Sequence, residues 1–203
     1  MTLGRLNHLL DNDLAELQAR GTRKGAEHVV TGFKAAEAGF GPRCCLAGYG
    51  DRPFLRMNSN SYLGLSFHPR VMEAEEQAVH LFGAGPGAVR FISGTYGPHV
   101  ELENRLARFH GRPAAMIFSA AYAAMMGVLP PLITEDTVVL SDALNHNCII
   151  NAMRLARPVR KLIYRHLDMG DLEVQIKTCI GQAKRALVVT DGIFSMRGDH
   201  APL

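Results

Sequence analysis

The chain is short of cysteine, of clustered charge and of long apolar runs, and each shortage removes a class of protein. Four cysteines in 203 residues do not make a disulfide framework, and two of them, Cys44 and Cys45, are adjacent, a poor geometry for bridging each other. The 22 basic residues nearly balance the 19 acidic ones and form no run of five or six, so a nucleic-acid-binding stripe is not indicated. No apolar stretch approaches the roughly 18 residues needed to cross a bilayer. The first residues lack the charged-then-apolar pattern of a secretory signal. The nine histidines show no HxH or HxxxH spacing with a partnering carboxylate, so no metal site is expected. The expectation that remains is a soluble globular protein of a reducing, cytoplasmic setting, an enzyme or a piece of one. At 47% apolar, a chain of this length can bury a core without disulfides or a structural metal.

The pattern along the chain predicts two parts, 1–57 and 58–203. In the first, Leu3, Leu6, Leu9, Leu10, Leu14 and Leu17 have helical spacing, and Gly21 ends that helix. A small-residue arm over 21–50 ends in a weak strand at Cys45–Ala47, and a turn over 48–52 leads to a short strand at 54–57. In the second part, Pro69 suits the first turn of a helix whose apolar side is Val71, Met72, Ala78, Val79 and Phe82. Gly83–Gly87 breaks it, and a helix over 99–110 comes next. Short apolar runs at 114–118, 137–140, 161–164 and 186–190 then alternate with helical stretches at 120–130, 147–156 and 169–180. Strand-like runs separated by helices are the signature of βαβ units. The expected fold class is α/β, a mainly parallel sheet with flanking helices. The last residues, Ala201-Pro202-Leu203, fall in mid-alternation, so the sheet is expected to be incomplete at its C-terminal end.

In open parallel sheets ligands bind beyond the carboxyl ends of the strands, which directs attention to the residues just after each run. Ser119-Ala120-Ala121-Tyr122 opens a helix whose first amides lack internal partners, a natural phosphate site; Ser119 is equally the plain N-cap of that helix. His146, after Asp142 and Asn145, starts another helix, where its imidazole could stack on a flat ligand, act as a general base or simply belong to a satisfied cap. Arg165-His166 comes after the third run. Ser195 lacks the flanking glycines of a nucleophile elbow, and read alone it is a turn serine. Gly83–Gly87 comes after a helix rather than a strand and no GK[ST] ends it, which excludes a phosphate-binding P-loop. Its backbone passes close to something, and Arg90, Ser93, Thr95 and His99 come soon after.

Taken in order, these segments resemble the α-oxoamine synthase family of fold-type I pyridoxal-phosphate enzymes. The residues that carry the resemblance are Asn58-Ser59-Asn60-Ser61-Tyr62-Leu63-Gly64-Leu65, Gly83-Ala84-Gly85 with Arg90-Phe91-Ile92-Ser93-Gly94-Thr95, and Phe118-Ser119-Ala120-Ala121-Tyr122. Ser141-Asp142-Ala143-Leu144-Asn145-His146 and Thr190-Asp191-Gly192-Ile193-Phe194-Ser195-Met196, with Gly198-Asp199 and Ala201-Pro202-Leu203, complete the set. The resemblance implies the large-domain fold of aspartate aminotransferase and a condensation of glycine, alanine or serine with an acyl-CoA, usually with loss of carbon dioxide. It implies pyridoxal 5'-phosphate as cofactor and a homodimer, or a heterodimer with a related chain, as the assembly.

The same resemblance implies residue roles. Ser119, Ala121 and Tyr122 match the cofactor-phosphate positions, His146 the imidazole stacked on the pyridine ring, Ser195 a serine near the phenolic oxygen, and Asn60 an asparagine that holds the substrate carboxylate. His146 and Ser195 are thereby the catalytic candidates. Three segments depart from the family pattern: Asn147-Cys148 stands where Ala-Ser is usual, Ala120-Ala121 where Ser-Gly or Ser-Cys is common, and Arg197 where an aspartate is usual. The family also needs a lysine at the cofactor and an aspartate against the pyridine nitrogen. Lys24, Lys34, Lys161, Lys177 and Lys184 are the only lysines, and none is expected at the carboxyl edge of the sheet. The expectation is therefore an N-terminal half, inactive by itself, or else a non-catalytic partner of a complete relative.

Overall fold

The computed structural model describes residues 2–37 and 39–203. The chain divides into two compact units, Met1–Gly87 and Ala88–Leu203. The change of pattern expected after residue 57 falls inside the first.

In the first unit, α1 (Leu3–Ala19) forms from the leucine spacing and ends where the amides of Gly21 and Thr22 turn back to the carbonyls of Gln18 and Leu17. It buries none of its residues. An antiparallel sheet comes next in the order β1 (Val30–Lys34), β2 (Arg43–Leu46), β3 (Pro53–Phe54). The sequence signalled β2 and β3; β1, in the small-residue arm, forms because β2 offers a free edge on its other side. Helix α2 (Pro69–Phe82) starts on its proline and is capped by Gly83, as the pattern predicts.

The second unit begins with a single π turn, Arg90–Gly94, and continues into α3 (Gly97–Phe109). A Cβ on Gly94 would collide with the Ala88 carbonyl, so this turn closes only on glycine. Glu103 on α3 takes both guanidinium nitrogens of Arg90 and the Ile117 amide, the latter at 3.0 Å. Those bonds, the Arg90 pair first, pull the Glu103 carboxyl down to about 2. Thr95 Oγ1 donates to the Arg90 carbonyl and His99 Nδ1 accepts the Tyr96 amide, so the residues after the glycine stretch are spent on closing this turn and starting α3.

The run 114–118 is not a strand. It has no strand neighbour, and the Ile117 amide that would enter a ladder is taken by Glu103. Three parallel strands remain, ordered β5 (Arg160–Tyr164), β4 (Thr137–Asp142), β6 (Arg185–Val189). Between them lie α4 (Ala121–Leu132), α5 (Asn147–Leu155) and α6 (Met169–Lys177). Every residue of β4 is buried. Its alternation sends Val139 to one face, against Leu129, Ile133, Ile149, Ala152 and Met153 of the α4 and α5 side. Val138 and Leu140 go to the other, against Tyr164, Cys179 and Leu172. A short hairpin, β7 (Ile193–Phe194) and β8 (Asp199–His200), comes after β6. Its turn needs Gly198, which at φ +77° sits where other residues are strained and donates to the Phe194 carbonyl at 2.7 Å.

Burial and charge in this unit set two expected outcomes. Leu140→Ala, at a site with no exposure, lowers unfolding stability by about 2–5 kcal/mol, whereas Ile163→Ala, 60% exposed on edge strand β5, changes it by less than about 0.5 kcal/mol; urea titration reads both. Because its pKa is depressed, Glu103 stabilises the fold above its ordinary value of 4.5, and that contribution is lost as pH falls toward 2. Glu103→Gln therefore lowers Tm at neutral pH, and the gap to wild type closes across that acid window.

Candidate active site

Parallel strands carry their carboxyl ends to one edge of the sheet, and there the polar residues of the second unit converge. β4 ends in Ser141-Asp142, both buried. Asn145, 4% exposed, stitches this edge together. Its amide nitrogen donates to Ser141 Oγ at 3.0 Å and to the Val189 carbonyl at 2.7 Å, and its oxygen accepts the Asp191 amide at 2.9 Å. Asp191 returns the link by accepting the His146 amide at 2.7 Å. Three of the four bonds an asparagine side chain can make are thus filled, and they join β4 to the end of β6.

His146 is the N-cap of α5: its Nδ1 accepts the Cys148 amide at 3.2 Å and lies 2.9 Å from Cys148 Sγ. The cap reading of the sequence is therefore met, and the ring is still free to face outward. A cavity of about 520 Å³ opens beside it, lined by His146, Asn147, Asp191, Ser195, Met196 and Arg197 among others. That volume lies in the range of small-molecule sites. His146 and Ser195, far apart in sequence, line the same cavity, Ser195 from the turn of the β7–β8 hairpin.

The α4 candidates sit elsewhere on the unit. Ala120, not Ser119, is the N-cap of α4, and no side chain caps it. The first intrahelical bond runs from the Ala124 amide to the Ala120 carbonyl, so the amides of Ala121 and Tyr122 precede it. Ser119, Ala121 and Tyr122 do not line the cavity of His146 and Ser195. Tyr122 is tied to α5 instead, its hydroxyl accepting from Asn151 Nδ2 at 2.8 Å, which holds the N-terminal part of α4 against the helix that His146 caps. Asn60 belongs to the first unit. No lysine lines the cavity among the described residues; Lys184 pairs with Asp136 and Lys177 with Glu173, while Lys161 enters β5.

Sequence reading placed Asp142 and His166 at strand ends and gave neither a role. Burial raises the Asp142 carboxyl, but the amides of Leu144 and Leu167 and the His166 ring outweigh it and hold the group below the usual aspartate range. Asp142 and Asn145 were detectable as polar residues just after the apolar run Val138–Leu140. The partners, 24 and 44 residues away, were not.

A family model described as aminotransferase class I and II matches residues 52–203. The chain belongs to that family. Within it, the chain falls in the α-oxoamine synthase branch. It is 42% identical over 201 residues to human mitochondrial 2-amino-3-ketobutyrate coenzyme A ligase, which covers 99% of this chain and 46% of that protein. With 8-amino-7-oxononanoate synthase 1 of Bacillus velezensis it shares 46% identity over 149 residues, 73% of this chain and 38% of that protein. A solved serine palmitoyltransferase from Sphingomonas wittichii superposes with a TM-score of 0.82 at 28% identity, over all of this chain and 48% of the other. Another, from S. paucimobilis with a bound PLP–myriocin aldimine, gives 0.82 at 26%. The chain spans less than half the length of these relatives. Over that span the expected aminotransferase-like α/β fold is present.

Asn145→Leu removes the acceptor of the Asp191 amide and the donor to Ser141 Oγ and the Val189 carbonyl, and a buried polar group left unpaired costs about 1–3 kcal/mol. Asn147→Ala, on the exposed side of the same turn, costs less than about 0.5 kcal/mol. Chemical unfolding of the two variants measures the difference.

Proposed function

We propose that this chain forms part of a PLP-dependent C-acyltransferase that condenses glycine, alanine or serine with an acyl-CoA to give an α-oxoamine, CoA and usually carbon dioxide. The observation that carries the reading is the shared cavity of His146 and Ser195 at the carboxyl edge of the sheet, in a chain whose relatives include two α-oxoamine-forming enzymes and PLP-bound serine palmitoyltransferase. The residues suit a phosphorylated aromatic ligand: a planar imidazole, a hydroxyl beside it, and a 12-residue helix whose first amides have no internal acceptors.

When bound, PLP supplies an electron sink for negative charge at the amino acid's α-carbon. His146 would lie against the pyridine ring of the cofactor, and its N-cap bond keeps the imidazole from rotating away. Ser195 would offer its hydroxyl as donor to the phenolic oxygen of the cofactor. By the family resemblance Ser119 and the Ala121 and Tyr122 amides would hold the phosphate, at the positive end of the α4 dipole. The family resemblance gives Asn60 the substrate carboxylate. The lysine that the condensation requires comes from outside residues 88–203. The assembly is a dimer, either of identical chains or with a related one, in the cytoplasm, with no part for nucleic acid. Among the described residues no helix is long and apolar enough to cross a membrane.

The absence of a lysine from the cavity favours one second reading, a catalytically inactive subunit that docks on a complete relative. Titrating the gene-encoded protein with PLP, monitored by visible absorbance, tests both. Saturable binding that His146→Ala weakens about tenfold supports the site, since one ring contact is worth about that much. A wild-type protein that takes up no PLP overturns it. Borohydride trapping and peptide mapping then separate the readings, by whether the labelled lysine lies in this polypeptide or in a co-purified one.

A further inference from the structure

We propose that His166 is a positioning residue: bridged between Asp142 at the end of β4 and Asp199 on β8, its ring fixes the β7–β8 hairpin, and with it the Ser195–Arg197 rim of the cavity, against the parallel sheet. The inference rests on the functional reading above for what that rim does, and on geometry alone for the bridge.

Both ring nitrogens are engaged. Nδ1 lies 2.9 Å from Asp142 Oδ1 and Nε2 lies 3.0 Å from Asp199 Oδ2, with the ring nearly buried at 15% side-chain exposure. An ionised carboxylate only accepts, so the ring serves both partners as donor when it is the imidazolium. Phe194 of β7 meets it edge-on, ring centres 4.4 Å apart. Leu167, next in sequence, holds a left-handed backbone at φ +55°, the only non-glycine residue to do so among those described. That bend sends the Leu167 amide to Asp142 Oδ2 at 3.0 Å. The segment is folded around the Asp142 carboxylate so that His166 can span to the hairpin.

The hairpin needs such a tie. It pairs only Ile193 with His200 and Phe194 with Asp199, and it is not part of the parallel sheet. Isolated two-stranded ribbons of this size are marginal in water. Among the described residues, the one side-chain hydrogen bond joining residues 193–200 to the rest of the unit is His166 to Asp199. Arg197 reaches the same aspartate oxygen, Nε to Oδ2 at 2.6 Å, while also lining the cavity beside Ser195. The bridge and the rim are therefore mechanically one object.

The charges around the ring set its pH response. Facing it are Asp142 from β4, Asp199 from β8 and Arg197 from the hairpin turn, with the Tyr164 phenol of β5 beside Asp142. On its own segment, Arg165 is turned to Asp168 and Asp171. The Asp142 bond first and the Asp199 bond second raise the His166 pKa above the ordinary 6.5, with burial and Arg197 opposing. A raised histidine holds its bridge fully below that ordinary value and loses it as pH climbs through the higher one. The hairpin is thus secured on the acid side and released on the alkaline side.

Hydrogen exchange on the gene-encoded protein tests this, read at the hairpin amides of Arg197, Gly198 and Ala201 and at the β4 amides as an internal control. Protection factors of the hairpin amides in wild type decline between about pH 6 and pH 9 while β4 holds. His166→Gln lowers hairpin protection about tenfold or more at pH 6, the loss of one charge-assisted bond, and abolishes the pH dependence. Asp199→Asn, a milder change at a partly exposed site, gives the same pattern at smaller amplitude. Equal hairpin protection in wild type and His166→Gln, or loss that includes β4 to the same extent in both variants, overturns the proposal. PLP titration of the same proteins separates the two ideas: if wild type binds no PLP the functional reading fails while the exchange result stands, and if it binds, His166→Gln weakens binding in parallel with hairpin protection.

Discussion

Strand β4 is the constraint around which the second unit is built. It is paired on both edges and covered on both faces, so none of its backbone or side chains meets bulk water. In such a strand polar groups survive only where partners are supplied: Thr134 and Arg185 supply them to Thr137 at the amino end, and the larger supply comes at the carboxyl end. Ser141, Asp142 and Asn145 recruit the ends of β5 and β6, the 165–168 segment and Asp191. The cavity is a by-product of that recruitment. His146 stands at its edge because its amide is bonded to Asp191 and its ring caps α5.

Each half of this arrangement was visible in the sequence to a different degree. The βαβ alternation and the helices showed through because period-2 and period-3.6 patterns are local. Residues 137–142, 160–164 and 185–189 became strands where the pattern put them. The run 114–118 carries the same apolar signal and fails as a strand for a nonlocal reason: Glu103, on the preceding helix, captures its amide. Strand β1 failed in the other direction, its residues small and unremarkable until β2 supplied an edge. A propensity scale sees neither partner.

For the site, sequence order brought His146 and Ser195 together only through a family resemblance, and the fold then set both on one cavity. Ser119 lost its cap role because the helix begins one residue later than its serine suggests. The carboxylate bridge through His166 could not be read from spacing, since its three members lie on separate elements and each, taken singly, is an ordinary strand-end polar residue.

The N-cap of α5 has one more consequence. A backbone N–H can only donate, so the nitrogen of His146 that receives the Cys148 amide must carry a lone pair. In the neutral ring the proton is therefore confined to Nε2, and a single tautomer is selected by the main chain. The choice does not depend on which side chain occupies position 148: serine, alanine or cysteine would bring the same amide to the same atom. In that tautomer the cavity is presented with an aromatic plane bearing its hydrogen on the outer nitrogen, whatever the drift of the neighbouring residue.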